Sequence, residues 1–404
     1  MIQVAVLGYG TVGSGVVEVI EKNKDMVNKK AGEELSIKYI LDLREFPGDP
    51  YESKVVHDFK QIVEDEEVQI VCETMGGVGA AYEFTKQALL AGKSVCTSNK
   101  ELVAAHGPEL ISLAKEHKCN YLFEASVGGG IPIIRPLNYS LTAERIEAIT
   151  GILNGTTNYI LSKMENEGAD FADVLKKAQE KGYAEKNPEA DVEGHDACRK
   201  IAILSSLMLG KNVDYRKIYT EGITKITSRD FAYAKEMHMS IKLLALSREI
   251  GDRTLAMVAP CLISEDHPLH MVNGVFNAVF VKGNMLGDSM YYGRGAGKLP
   301  TASAVVSDVI DCARHLGKVI MCFWDAQDAD LMSIDDVERR FFFRAKAGSE
   351  EKVKELFGEV QEIKLSDVPE ETGFVTPVMK EKEFASRYEK LADVVTGDRI
   401  RIEA

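Results

Sequence analysis

The chain has 404 residues, 45% of them hydrophobic and 28% charged, with a formal net charge of -14, which is length enough for two or three domains around sizeable cores. That acidic balance argues against nucleic-acid binding, which needs basic patches to neutralise phosphates, and no apolar run is as long as a membrane span. Seven cysteines, Cys72, Cys96, Cys119, Cys198, Cys261, Cys312 and Cys322, are scattered and never form a C-x-x-C pair, so they read as buried free thiols rather than a disulfide framework or a zinc site.

The first third alternates strand-like runs at 2–7, 36–42, 68–73, 94–97 and 120–125 with helical patterns at 11–23, 81–91 and 107–117. Pro108 is expected in the first turn of the last helix. The alternation predicts an α/β fold, a doubly wound parallel sheet covered on both faces. Between the first strand and the first helix stands Gly8-Tyr9-Gly10-Thr11-Val12-Gly13. In that setting the glycines let the backbone approach a pyrophosphate at a helix N-terminus, so Gly8, Gly10, Thr11, Val12 and Gly13 are candidate dinucleotide contacts. The second strand ends in Leu41-Asp42-Leu43-Arg44. Asp42 suits the ribose hydroxyls of NAD and Arg44 the 2′-phosphate of NADP, and these residues do not choose between them. With no basic lead before the first strand, the expected location is the cytoplasm.

Thr97-Ser98-Asn99-Lys100 closes a short strand. Lys100 is thereby placed at the carboxyl edge of the sheet, where open α/β folds bind ligands; the plainer alternative is a solvated lysine opening the next helix. Gly128-Gly129-Gly130-Ile131-Pro132 breaks the pattern and marks the exit from a nucleotide-binding domain over 1–132. A strand at 146–151, helices at 157–167 and 171–182, and strands at 255–259 and 275–281 then suggest an open sheet in a substrate domain over 133–299.

Within it, Gly182 to Lys200 crowds Glu185, Asp191, Asp196 and Lys200 into a turn-rich segment and the helix start after it. Gly194 ends the loop, and the apolar run Ile201-Ala202-Ile203-Leu204 assigns the residues beyond it to a core helix. Asp196 and Lys200, four apart, share one face of that helix. A lysine held by carboxylates beside a buried run is a candidate proton donor or acceptor; the competing reading is a surface ion pair at helical spacing. The eight histidines form no ligand cluster. Residues 301–315 form a further apolar-periodic helix, and 335–404 read as β-α-β-β-α-β, a ferredoxin-like module.

The segment from Ala178 to Lys200 resembles the homoserine dehydrogenase signature at every position: Ala178, Gly182, Tyr183, Pro188, Asp191, Gly194, Asp196 and Lys200. The likeness extends over roughly residues 1 to 325, through Gly8–Gly13, Thr97–Lys100, Glu124–Pro132 and Gly151-Ile152-Leu153-Asn154-Gly155-Thr156. It implies a Rossmann-type cofactor domain to which helix 300–325 returns, an inserted α/β domain that binds substrate and dimerises, and a C-terminal module of the ACT type. The implied activity is the NAD(P)-dependent interconversion of L-aspartate 4-semialdehyde and L-homoserine, in threonine and methionine biosynthesis, with the cofactor leaning toward NADP.

By the same resemblance Lys200 is the general acid, Lys100 sits near the nicotinamide, and Gly155, Thr156, Tyr183, Glu185, Asp191 and Asp196 form the amino-acid pocket. Gly182 and Gly297 approach the cofactor, and Glu124 with the carbonyls of Val127, Gly129 and Ile131 holds a sodium ion. The partners implied are the small-molecule substrate and further copies of the chain, with neither nucleic acid nor membrane. Ser126-Val127 offers no cysteine nucleophile where related acylating dehydrogenases have one, which favours aldehyde reduction without a covalent intermediate. In the C-terminal module the effector-binding turn of ACT domains is replaced by Ala347-Gly348-Ser349, so effector binding and assembly both stand as its task. Two rival readings are another amino-acid oxidoreductase of the same build and a non-catalytic sensor of nucleotide and amino acid.

Overall fold

The structure, a computed structural model, describes residues 1–403. The chain divides into two compact units: 1–145 with 202–215 and 291–329, and 146–201 with 216–290 and 330–404.

In the first unit, strands β1 (Ile2–Leu7), β2 (Leu35–Leu41), β3 (Val55–Val56), β4 (Val68–Glu73), β5 (Ser94–Thr97) and β6 (Tyr121–Leu122) form a parallel sheet in the order β3-β2-β1-β4-β5-β6. Helices α1 (Thr11–Lys22), α2 (Lys24–Ala31), α3 (Lys60–Val63), α4 (Gly79–Leu90) and α5 (Lys100–Glu116) connect the strands. This is the Rossmann-like arrangement that the alternation predicts. The strands are mostly apolar because both faces are covered. Val4, Val6, Ile37, Ile70 and Cys96 are buried together with Val16 and Ile20 of α1 and with Ala302, Val305 and Val309 of the helix Lys298–Arg314. Gly15 permits close approach of the two helices, since a Cβ there would lie 2.9 Å from the Ala302 Cβ and the Lys298 carbonyl oxygen.

Three boundaries differ from expectation, and one is the helix that the resemblance extends over 300–325, which ends at Arg314. Helix α5 begins at Lys100 rather than 107 and carries Pro108 in its interior. The Asn99 side chain accepts a hydrogen bond from the Leu102 amide, and this cap starts the helix a full turn and more before the proline. The strand expected over 120–125 is extended only at Tyr121–Leu122. Beyond it the amide and hydroxyl of Ser126 both bond the Phe123 carbonyl, drawing Glu124–Ser126 into a 3₁₀ turn.

The second unit is built on a largely antiparallel sheet of β7 (Ile146–Ile152), β8 (Tyr219–Thr220), β9 (Met239–Ile250), β10 (Arg253–Ser264), β11 (Phe276–Gly283), β12 (Gly287–Arg294), β13 (Glu338–Lys346), β14 (Gln361–Ile363), β15 (Glu371–Val375), β16 (Met379–Lys380) and β17 (Ile400–Glu403). The order is β12-β11-β7-β9-β10-β17-β13-β15-β14. Strand β9 escapes sequence reading because it is buried on both faces and carries no alternation. It pairs with β10 from Met239 opposite Ser264 to Ile250 opposite Arg253.

The helices of this unit that bear on the site are α6 (Gly155–Glu167), α7 (Phe171–Glu180), α8 (Glu189–Val192), α9 (His195–Leu209, its first half) and α10 (Ser228–Glu236). The C-terminal segments fall where expected: β13, the helix Glu350–Phe357, β14, β15, the helix Glu381–Tyr388 and β17. Phe341, Phe343, Phe357, Phe374 and Phe384 pack their core. Strand β17 lies parallel to β10, Cys261 opposite Arg401, so these segments share the sheet of the second unit. Among the described residues the seven cysteines form no disulfide, and all but the partly exposed Cys322 are buried.

Candidate functional site

In the first unit the turn between β1 and α1 can be made only with glycine. Gly8 has φ +87°, and a Cβ on Gly13 would lie 1.9 Å from the Gly8 carbonyl oxygen. A Cβ on Gly10, by contrast, would meet nothing within 4 Å, and α1 begins there with no side-chain cap. Thr11 and Val12 form its first turn. An uncapped helix N-terminus opening onto clear space beside a tight glycine turn fits the pyrophosphate of a dinucleotide.

A cleft of ≈ 430 Å³ adjoins it, lined by Gly8, Asp42, Leu43, Arg44, His57 and Met75 among others. At its end the Asp42 carboxylate accepts from the Tyr9 amide at 2.8 Å, from Arg44 Nε at 2.9 Å and from Arg44 Nη2 at 2.9 Å. The fork of bonds from Arg44 holds the Asp42 carboxyl well below the usual carboxylate range. The guanidinium also lies over the Phe46 ring, 5.1 Å from its centre. Asp42 and Arg44 are thus one paired unit at the tip of β2.

Lys100 is the first residue of α5, directly after the carboxyl end of β5 and the Asn99 cap. Beside it is a group that sequence reading misses. Glu73, fully buried at the end of β4, accepts from the Thr97 hydroxyl at 2.6 Å and from the Met75 amide at 2.8 Å. Burial pushes its carboxyl up to about 7. Its signal in the sequence is a lone acid closing an apolar strand, a place where an acid has to be held by partners.

Also in this unit, Glu124 is buried, and its carboxylate accepts from the amides of Ile133 (2.7 Å), Ile134 (3.0 Å) and Arg135 (2.6 Å). Arg135 bonds Asp308 at 2.6 Å and Asp311 at 2.9 Å. Burial pushes the Asp308 carboxyl well up, and Arg135 opposes this. Asp308 and Asp311 thus flank the Arg135 guanidinium, while Glu124 is held by the backbone amides of the same segment. Gly129 (φ +56°) packs so tightly that a Cβ would lie 2.3 Å from the Gly295 carbonyl oxygen, and a Cβ on Gly128 would lie as near that of Ile131. Val127 and Ile131 are buried in the same loop. Gly297 (φ +125°) caps the helix Lys298–Arg314.

In the second unit the acidic segment folds onto the start of α6. Lys200, on α9 and 7% exposed, donates to Asp196 Oδ2 at 2.7 Å and to the Leu153 carbonyl at 2.8 Å. Asp196 is itself buried, which rejects the surface-pair reading. Asn154 completes the group: its Nδ2 donates to Asp191 at 2.8 Å and to Asp196 at 2.9 Å, while its Oδ1 caps α6 by accepting from the Thr157 amide. Its bonds to the two acids are invisible in the sequence, where an asparagine before a helix is explained by capping alone.

Gly155 comes next, with room for no side chain, since a Cβ would lie 2.9 Å from the Val275 carbonyl oxygen. Gly194 (φ +82°) makes the turn that sets α9 against Thr220 and Val258. Thr156 Oγ1 donates to the Tyr183 carbonyl at 2.6 Å, and the ring of Tyr183 is half exposed. Glu185 is exposed on the same loop, where Gln179 bonds its carbonyl at 3.0 Å. Gly182 (φ +72°) ends the turn after α7. The structure thus brings Asp191, Asp196 and Lys200 together around Asn154, while Tyr183 and Glu185 lie on the exposed loop before them.

The chain resembles known proteins over most of its length. Residues 132–310 match the model of the homoserine dehydrogenase family, and residues 8–124 match that of the homoserine dehydrogenase NAD-binding domain. A homoserine dehydrogenase of Neisseria gonorrhoeae is 41% identical over 359 residues, 86% of this chain and 82% of the relative. A solved homoserine dehydrogenase from Thiobacillus denitrificans superposes with a TM-score of 0.91 at 36% identity, covering 100% of this chain and 98% of its own. A hyperthermophilic archaeal homoserine dehydrogenase in complex with NADPH gives 0.66 at 29% identity, covering 77% of this chain and 97% of its own.

Proposed function

Because the chain belongs to the homoserine dehydrogenase family of NAD(P)-dependent oxidoreductases, we propose that Lys200 is the proton donor when L-aspartate 4-semialdehyde is reduced to L-homoserine. The observation that carries this is the buried contact of Lys200 with Asp196 and the Leu153 carbonyl. The nicotinamide cofactor supplies the hydride. As the aldehyde oxygen gains charge, a lysine fixed by two acceptors stabilises the alkoxide and delivers a proton from Nζ. In the oxidative direction the same amine accepts it. Asp196 holds the ammonium, and Asn154 holds Asp196 and Asp191 in register. Asp191 and Glu185 suit the substrate's ammonium group, and Gly155, Thr156 and Tyr183 line its approach. Lys100, at the carboxyl edge of the parallel sheet, acts beside the nicotinamide. The assay is oxidation of NADPH and NADH with aspartate semialdehyde, with and without threonine. No turnover despite tight NADPH binding would revive the sensor reading.

NADP is the favoured cofactor, with NAD also accepted, because Arg44 neutralises Asp42 and leaves guanidinium donors for a 2′-phosphate. Gly8, Gly10, Thr11, Val12 and Gly13 would hold the pyrophosphate, with Gly297 of the same unit allowing close approach. For a monovalent cation, Glu124 and the carbonyls of Val127, Gly129 and Ile131 offer oxygen donors only, the ligand type a hard cation prefers. Such an ion would be structural. The β-α-β-β-α-β segment over 335–404 is an ACT-like module, a reading supported by its strand order β17-β13-β15-β14. The functional regions are then 1–132 completed by the helix that ends at Arg314, 133–299, and 335–404 within the sheet of the second unit, in a homo-oligomeric cytoplasmic enzyme; sedimentation tests the oligomer.

A further inference from the structure

Glu73 is a buried acid at the end of a parallel strand that the proton transfer from Lys200 does not use, and its two oxygens face two different pieces of the cofactor side. Oε1 accepts from the amide of Met75, a residue that lines the cleft beside Gly8. Thr74 in the same segment donates its hydroxyl to the carbonyls of Leu7 and Gly8, 2.9 Å each, so the segment is tied to the glycine turn. Oε2 accepts from the Thr97 hydroxyl, which in turn accepts from the Asn99 amide at 2.9 Å. Asn99 caps α5 through its Oδ1 and donates its Nδ2 to the Gly77 carbonyl at 2.7 Å, closing the ring back onto the first segment. Lys100 is the next residue.

We propose that Glu73 is a positioning residue: it clamps the 74–77 segment against the 97–100 turn and so fixes both the floor of the cofactor cleft and the placement of Lys100. The Lys100 half of this rests on that lysine's proposed place beside the nicotinamide; the Met75 half does not. A carboxyl serves because it accepts from an amide and a hydroxyl at once, and a glutamine side chain can meet both, accepting from Met75 and donating to Thr97. A second titratable group facing Glu73 is the buried Tyr121 hydroxyl. Burial places the Glu73 ionisation near neutrality, so the clamp changes its hydrogen-bond direction at Thr97 as the carboxyl gains a proton.

The test is steady-state kinetics of the full-length enzyme bearing Glu73→Ala, Glu73→Gln, Thr97→Val and Glu73→Ala/Thr97→Val, each checked for folding by thermal denaturation. Glu73→Ala is expected to lower kcat and raise the cofactor KM by about tenfold each, since a small misplacement of bound groups costs on that order or more. Glu73→Gln should stay within about threefold of the parent in both, because the amide keeps both contacts. The double variant should be little worse than Glu73→Ala, as residues in one network are non-additive. Unchanged kcat and cofactor KM in folded Glu73→Ala, or strict additivity in the double variant, would overturn the proposal. Normal turnover in Lys100→Ala beside a raised cofactor KM in Glu73→Ala upholds the clamp and removes only the part given to that lysine. Impaired Lys100→Ala beside unaffected Glu73→Ala overturns the clamp alone.

Discussion

Asn154 and Asp196, 42 residues apart in sequence, meet at 2.9 Å through the asparagine's Nδ2, and the same nitrogen reaches Asp191 at 2.8 Å. One side chain therefore caps α6 and holds the two acids of the segment that leads into α9. The helix start and the acidic cluster are a single construction.

For Asn154, Ala in its place removes the cap and two hydrogen bonds to carboxylates. Loss of the cap alone destabilises by about 1 kcal/mol, and the unheld acids should reduce kcat by about tenfold or more. Asn154→Asp keeps the cap and adds like charge beside Asp191 and Asp196, so its stability should recover further than its kcat. Thermal denaturation beside steady-state assays separates the two, and equal recovery of both would show that capping is the whole role.

Lys200→Ala removes a group whose interaction strengthens as the alkoxide develops, so kcat should fall by roughly 10² to 10⁴ with little change in cofactor affinity. Lys200→Arg should recover little, because a guanidinium does not readily release its proton. Near-normal kcat in Lys200→Ala beside a collapsed Lys100→Ala would transfer proton donation to Lys100.

Arg44→Ala leaves the Asp42 carboxylate without its partner, facing any 2′-phosphate. Loss of attraction and gain of repulsion act in the same direction, so the KM for NADPH should rise by about tenfold or more while that for NADH moves little. Comparable losses with both cofactors would mean that Arg44 reads no phosphate.

Deleting 330–404 should unfold more than an appendage. Arg344, buried, bonds Asp230 at 2.7 Å and Glu371 at 2.8 Å, Arg401 bonds Glu221 at 2.7 Å, and β17 covers the edge of β10. Truncation strips that edge and leaves two carboxylates without their arginines. The milder Arg344→Met should cost about 3–5 kcal/mol. A soluble truncated chain with the parent's melting temperature would contradict this.

The Glu73 carboxyl, raised from about 4.5 to about 7 by burial, binds its proton more tightly in the folded state. Its contribution to stability is therefore greatest below the unfolded value and is lost as pH climbs through 7, an effect of about 3 kcal/mol for a shift of this size. Glu73→Gln carries no such charge, so its melting temperature should gain on the parent's between pH 5 and pH 8. A difference that is flat across this window would show that Glu73 does not titrate there.

Much was legible in the residues because it is local. Gly8 and Gly13 encode a turn too tight for side chains at those two positions, alternating apolar runs encode covered parallel strands, and Asp196 with Lys200 at helical spacing must share a face. The order of strands and helices from Glu338 to Glu403 was legible for the same reason. What only tertiary structure decided is which distant groups meet. That Asp196 and Lys200 are buried rather than solvated depends on Leu153 and Asn154 arriving from another strand end. That Glu73 is clamped depends on β4 and β5 lying side by side, and β9 is a strand only because neighbours cover both its faces. Pairing between remote segments arises from chain packing, and a periodicity in the sequence records that a face is buried without recording which distant segment covers it.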